Sequence, residues 1–193
     1  MRDQMAVMAA IAVLTASSTV LAAEPAKPAE SAKAEKAAPP TPPMPPKVAP
    51  ENDIIKKSAG TWSCEATLKT AEGEHKYKAT WTIKTVLGGH WHSVVYKRSK
   101  MGPMPPFEGN GFVGYDVASK KYSFIGFDSL GSWINLTSAD GYAFSGEGSP
   151  GGKRGPVKFT FSPGKDKKGQ ESDKLFDVAM DFGMATTQES CKK

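Results

Sequence analysis

Residues 107–133 constrain the fold of this chain more than any other stretch of its 193 residues. Within it, 107–116 and 121–128 are rich in aromatic and small residues, and each segment ends at an aspartate. Asp116 suits the first position of a turn, and Asp128-Ser129-Leu130-Gly131 has the Asp and Gly positions of a type I turn. Short strands separated by such turns, at a spacing of roughly ten residues, predict an all-β sandwich or barrel.

Apolar residues alternate with lysine and threonine in 75–83, where one face carries Tyr77, Ala79, Trp81 and Ile83. A period of two with one apolar face predicts a half-buried antiparallel strand. The register of 90–98 stays open. If Lys97 faces water, the inward residues are His90, His92, Val94 and Tyr96. If Trp91 and Val95 face inward, both histidines lie outside.

Residues 1–22 read as a secretory signal peptide. Arg2 supplies the positive charge, 5–14 form an uncharged and mostly apolar run, and Val20-Leu21-Ala22 suits signal peptidase. The alternative is an uncleaved anchor, but the run is short of the roughly 20 residues that a membrane span needs. We therefore expect an exported protein, in the periplasm or the extracellular space, with no transmembrane segment after cleavage.

Residues 23–50 are rich in Ala, Pro and Lys and are expected to be a disordered linker, because such a segment buries too little apolar surface to fold. Its proline run favours an extended rod. The linker is either a spacer or a tether that offers a proline-rich ligand to a protein partner. The folded domain is then 51–193.

The net charge of +5 comes from lysines scattered along the chain rather than from a basic block. Scattered lysines are typical of a solvated face, and no nucleic-acid recognition motif accompanies them. We therefore expect no nucleic-acid partner. The sequence does not indicate an oligomeric state.

The folded part is expected to begin with a short helix that Asn52 caps and that runs to Lys57. Alternating segments and turns then give nine or ten strands within about 140 residues, enough for one barrel with a filled or ligand-sized interior. After the helix comes Gly60-Thr61-Trp62, which resembles the entry to lipocalins and other calycins, where the tryptophan plugs one end of the barrel.

A wider set of short motifs occurs in a fixed order: Ala59-Gly60-Thr61-Trp62, Val86-Leu87-Gly88-Gly89, Pro106-Phe107-Glu108-Gly109 with Gly111, Gly114-Tyr115-Asp116, Lys121-Tyr122 and Asp128-Ser129-Leu130-Gly131. With these motifs, residues 54 to about 182 resemble a bacterial family of exported proteins catalogued as domain-of-unknown-function family 1579. The resemblance implies an antiparallel, up-and-down, calycin-like β-barrel with a short N-terminal helix, and it implies no substrate. The sequence departs from the family after Met180, so the closing strand is the least supported.

Cys64 and Cys191 are the two cysteines of the chain. Cys64 falls in the first predicted strand and Cys191 in the last, and these two strands must pair to close a meandering barrel. In an exported protein this placement predicts a disulfide between them.

His90-Trp91-His92 is the best candidate for a metal site, because histidines at i and i+2 of a strand offer two nitrogens on one face. Met101 and Met104 are nearby in sequence and would suit Cu(I). The alternative is two polar strand residues next to a flexible loop, since a third ligand is not evident.

No catalytic constellation is evident in the sequence. Gly109–Gly114 spells G-x-G-x-x-G, but a turn and a strand follow it instead of the helix that dinucleotide binding requires. Glycines inside a strand instead permit a bend or a close approach of backbones. Asp116 and Asp128 have a local role at the starts of turns. We therefore expect no enzyme activity and no cofactor.

Aromatic residues give the best indication of function. A barrel of this width either packs its interior or holds one small apolar ligand. The sequence predicts a non-enzymatic barrel that binds a small hydrophobic ligand; the alternative is a tethered envelope interaction protein with a filled barrel. The candidate ligand-binding residues are Trp62, Tyr77, Trp81, Tyr96, Phe112, Tyr122 and Trp133.

Overall fold

The computed structural model describes residues 47–193; the predicted signal peptide and residues 23–46 of the predicted linker lie outside them. The described residues form helix α1 (Asn52–Lys57) and ten strands. The strands are β1 (Gly60–Thr70), β2 (Gly73–Val86), β3 (Trp91–Arg98), β4 (Phe107–Asp116), β5 (Lys121–Asp128), β6 (Trp133–Ser138), β7 (Ala143–Gly148), β8 (Gly155–Lys165), β9 (Glu171–Asp181) and β10 (Ala185–Lys192).

Each strand pairs antiparallel with its neighbours in sequence, and β1 pairs with β10. The sheet is therefore a closed up-and-down barrel, which confirms the predicted all-β architecture and places the strand count at the upper end of the prediction. Closure leaves no free sheet edge in the described domain.

Alternation along the strands builds the core. On β2, Tyr77, Ala79, Trp81 and Ile83 are buried, as predicted. On β3, His92 and Val94 are buried while Lys97 is exposed, so residues 92–98 follow the first of the two registers considered, and His90 lies before the strand. Burial of each large apolar side chain contributes about 1.5–3 kcal/mol.

Closure of the barrel places Cys64 on β1 directly opposite Cys191 on β10. Their Cα atoms are 4.0 Å apart and the two sulfurs are bonded, so the predicted disulfide is confirmed. The bond joins the first and last strands of the sheet at buried positions.

Helix α1 closes one end of the barrel. The predicted role of Asn52 as its N-cap is wrong: Glu51 holds that position without a side-chain bond, and Asn52 is the first helical residue. Asn52 Oδ1 instead accepts a hydrogen bond of 3.0 Å from the backbone N–H of Tyr115, which ties the helix to the end of β4. Trp62 Nε1 donates to the Ser58 carbonyl at 2.8 Å, so the tryptophan that enters β1 also holds the helix.

The glycine motif Gly109–Gly114 lies within β4, and a turn and β5 follow it, so it is not part of a strand–turn–helix unit. A Cβ atom at Gly111 would lie 2.5 Å from the Ile125 carbonyl oxygen, and one at Gly114 would lie 2.7 Å from the His90 carbonyl oxygen. The glycines therefore permit close backbone approach, as predicted for a strand.

The two aspartates also have the predicted local role. Asp116 Oδ1 accepts from the Ala118 N–H at 3.0 Å, and Asp128 Oδ1 accepts from the N–H groups of Leu130 and Ser132 at 2.9 and 2.8 Å. Both carboxylates thus stabilise turns between strands. Among residues 47–193, no helix has the length and apolar character to cross a membrane.

Candidate functional site

The barrel interior contains two cavities, one toward each end. The mouth cavity, of about 360 Å³, lies at the end formed by the β1–β2, β3–β4, β5–β6, β7–β8 and β9–β10 turns, and its lining includes Tyr77, Tyr96, Arg98, Phe107, Trp133 and Met180. The helix-end cavity, of about 310 Å³, lies beneath α1, and its lining includes Ile54, Ile55, Trp62, Ile83 and Phe176. The interior is therefore hollow at both ends.

Trp81, Val94 and Phe124 line both cavities and so form the floor between them. Each of these side chains is buried. Trp81 packs against Tyr96 and Phe161, with ring centroids 4.8 and 6.1 Å away. The floor is thus an aromatic layer whose central member is Trp81.

Glu189 on β10 fixes this layer. Its Oε2 accepts a hydrogen bond of 2.7 Å from Trp81 Nε1. Its Oε1 accepts from the hydroxyl groups of Tyr77 and Tyr96 at 2.9 and 2.8 Å. One carboxylate from the last strand therefore anchors three aromatic side chains from β2 and β3.

The electrostatics of this cluster follow from its burial, since Glu189 is only 1% exposed. Burial raises the pKa of the Glu189 carboxyl, against the lowering effect of its three donors. Burial and the nearby Glu189 raise the pKa of Tyr77 and Tyr96 above the ordinary tyrosine range. Both phenols therefore stay protonated and serve as donors at any physiological pH.

Glu189 lines neither cavity, whereas its three hydrogen-bond partners, Tyr77, Trp81 and Tyr96, all line the mouth cavity. Glu189 is not among the candidate residues predicted from the sequence. The alternation of side chains along a strand could have predicted its direction. Cys191 must face inward to form the disulfide, so Glu189, two positions earlier on the same strand, faces inward too. The carboxylate is therefore connected to the cavity wall through the aromatic side chains that it holds.

The rim of the mouth cavity is apolar and exposed. Phe127, Leu130 and Met184 line the cavity and are 63%, 61% and 56% exposed. Large apolar side chains at this exposure carry an unfavourable hydration free energy. Their clustering at one opening marks the route into the cavity.

Arg98 is the cationic side chain among the described residues at this mouth. Its Nη2 donates to the Pro105 carbonyl at 3.1 Å, and its guanidinium lies over the Phe107 ring, 5.3 Å from the centroid. Its buried Nε has no hydrogen-bond partner among the described residues. The Ser132 hydroxyl, on a residue 5% exposed, also lines the mouth cavity and likewise has no partner there.

The structure brings most of the candidate ligand-binding residues to a cavity wall. Tyr77, Trp81, Tyr96 and Trp133 line the mouth cavity, and Trp62 lines the helix-end cavity. Tyr122 is buried but lines neither, since its hydroxyl donates to the Glu51 carbonyl at 3.0 Å.

Phe112 was wrongly placed among the interior residues. It faces outward from β4 and is 47% exposed. The reason is that Gly111 and Val113 take the inward positions on either side of it, where the Cβ of any larger residue at 111 would meet the β5 backbone. Phe112 therefore cannot contact a ligand inside the barrel.

The predicted two-histidine face does not form. His90 lies in the turn before β3, and His92 alone faces inward on the strand. His92 is fully buried, its Nδ1 lies 3.2 Å from Thr85 Oγ1, and burial together with the positive charge of Lys56 lowers its pKa. Within residues 47–193, the group of three potential ligands that approach one another is Cys64, Glu189 and Cys191, and its two sulfurs are in the disulfide.

Comparison with known proteins gives a family and no activity. No curated protein matches the chain. A family model described as "Protein of unknown function (DUF1579)" matches residues 47–153, which include α1, β1 to β7 and hence most of the barrel. The chain belongs to the DUF1579 family.

Proposed function

We propose that this domain is an exported, non-enzymatic barrel that binds a small hydrophobic molecule in the mouth cavity. The observation that carries the proposal is the hollow interior: a cavity of about 360 Å³ whose lining is largely apolar and aromatic. Cavities of about 300–1,000 Å³ with such linings are typical of small-molecule sites. A barrel that served only as a rigid support would gain stability by filling this space.

The entrance supports the same function. Phe127, Leu130 and Met184 expose apolar surface at the opening, where an apolar ligand would cover it on entry. The disulfide is compatible with an oxidising, exported location. Glu189, the most deeply buried acid of the described domain, is sealed behind three donors, which favours a binding role over acid–base catalysis.

A second candidate function is protein interaction. Phe112 on β4 is paired directly with Ile125 on β5, and both side chains are exposed on the outer face of the sheet. This outer strip favours the alternative of a displayed envelope protein. That alternative was predicted to have a filled barrel, whereas the two cavities favour a hollow one.

Gly109→Leu is expected to weaken binding of a neutral apolar dye such as Nile red. Gly109 faces the mouth cavity, and a Cβ there meets its nearest neighbours, Phe107 Cε1 and the Phe127 oxygen, at an ordinary 3.7 Å. The backbone around residue 109 therefore accommodates a Cβ atom without a clash, and the rest of the leucine side chain occupies the cavity. Fluorescence titration should show a loss of dye affinity of at least about tenfold.

Asn135→Leu is the matched control, because it adds the same side chain on an exposed position of β6 that lines neither cavity. This variant should bind the dye like the unsubstituted protein. Equal dye binding by Gly109→Leu and Asn135→Leu would show that the mouth cavity is not the site.

A further inference from the structure

We propose that the natural ligand of the mouth cavity is a single-chain amphiphile whose carboxylate pairs with Arg98. This inference rests on the proposed function and names the chemical class of its ligand. It follows from a cation at the mouth of an apolar cavity that has no anionic partner among residues 47–193.

The Arg98 guanidinium is only partly satisfied by the protein. Of its five N–H donors, the structure pairs one with the Pro105 carbonyl, and the Nε–H is buried without an acceptor. The rings of Phe107 and Tyr77 flank it, at 5.3 and 6.0 Å from their centroids, and remove part of its hydration. A partly dehydrated cation with free donors favours an anionic, planar acceptor, and a carboxylate matches its fork geometry.

The position of Arg98 sets the direction of the ligand. Val94, Tyr96 and Arg98 are successive inward residues of β3, and each step of two residues advances about 6.8 Å along a strand. Val94 belongs to the floor of the cavity and Arg98 is the last residue of the strand, at the mouth. A ligand would therefore place its head group at the opening and its chain against Trp81 and Phe124.

The other polar groups of the cavity agree with an anionic head. Ser132 offers a buried hydroxyl without a partner, which can donate to a carboxylate. The acid at the rim, Asp128, already accepts two backbone N–H groups through Oδ1 and so is held in its turn. Glu189 does not line the cavity and is covered by its three donors, so Asp128 is the one carboxylate among the described lining residues.

The test compares three ligands that share one chain: dodecanoic acid, 1-dodecanol and dodecylamine. Their affinities are measured at pH 7 by displacement of Nile red from the full chain. We expect dodecanoate to bind about 10- to 100-fold more tightly than dodecanol, since a charge-assisted pair separates them, and dodecylamine to bind most weakly. Equal affinities for the acid and the alcohol would overturn the inference without any variant.

Arg98→Met keeps a long, unbranched apolar stem and removes the guanidinium with its charge. We expect it to lower dodecanoate affinity about 10- to 100-fold and to change dodecanol affinity less than about threefold. Arg98→Lys should retain part of the preference for the acid. Lys97→Met is the control for long-range charge, because Lys97 lies on the outer face, paired with Glu108 at 3.2 Å, and should have little effect.

Failure of the head-group inference and failure of the proposed function give different results. If Nile red binds but dodecanoate does not displace it, or Arg98→Met leaves dodecanoate affinity unchanged, the cavity binds ligands and the assignment to a carboxylate is wrong. If the unsubstituted protein binds neither the dye nor any dodecyl compound, the proposed function itself is wrong.

Discussion

Cys64→Ala/Cys191→Ala is expected to lower the free energy of unfolding by about 4 to 5 kcal/mol, because the bond closes a loop with a sequence separation of 127. The bond joins the strands whose pairing closes the barrel, so its loss acts on the longest-range contact in the sheet. Urea unfolding of the oxidised protein and the variant measures the difference.

The same experiment contains its control. A reducing agent should destabilise the unsubstituted protein by a similar amount and leave the double variant unchanged. A difference below about 1 kcal/mol would mean that the hydrogen bonds between β1 and β10 hold the barrel closed without the covalent link. The near-ultraviolet circular dichroism of the aromatic cluster that Glu189 anchors is a second readout, because Glu189 precedes Cys191 by two positions on β10.

Glu189→Ala is expected to cost about 3 kcal/mol or more, because Tyr77, Trp81 and Tyr96 would each keep a buried donor without its acceptor, at about 1–3 kcal/mol apiece. The indole of Trp81 would also lose its anchor in the floor between the cavities. We expect a lower unfolding midpoint in urea and a weaker near-ultraviolet circular dichroism signal from the aromatic cluster. Glu65→Ala, on the exposed face of β1, should change neither.

The pH dependence of stability has a defined sign. Because burial raises the pKa of Glu189 in the folded state, the unfolded chain releases this proton at lower pH than the folded protein does. The contribution of Glu189 to the free energy of unfolding is therefore greatest below the ordinary pKa of 4.5. It declines as pH rises from there through the raised pKa of the folded state. Glu189→Gln should remove this decline. A decline of equal size in the Gln variant would assign it to other groups.

Local patterns predicted much of the fold because they act over a few residues. The alternation in β2 fixes which side chains are buried, and Asp116 and Asp128 form their turns through bonds to adjacent backbone. The disulfide followed from topology, since closure of a meander brings the first and last strands together. These features do not depend on details of packing across the interior.

The interior itself depends on such details. Three glycines line the mouth cavity and contribute no side chain: Gly109, Gly111 and Gly126. Part of the space that Phe112 was expected to line is therefore left open. A glycine-rich strand has no clear apolar face, which is why the direction of Phe112 could not be predicted from alternation.

Glu189 illustrates the other difficulty. In a short segment with Thr, Gln and Ser, a glutamate reads as a surface residue. Only the pairing of β10 with β1, and of β1 with β2, brings it to the hydroxyl of Tyr77, 112 positions earlier in the chain. The three donors that stabilise the buried Glu189 carboxylate are distant in sequence, so the residues around Glu189 do not predict them.

Native mass spectrometry of the protein purified from its own host tests whether the barrel is hollow and holds a ligand. We expect an added mass on the unsubstituted protein and on Asn135→Leu, absent from Gly109→Leu, with the released compound an aliphatic carboxylic acid. Bare protein in every case, or the same added mass on Gly109→Leu, would contradict this expectation.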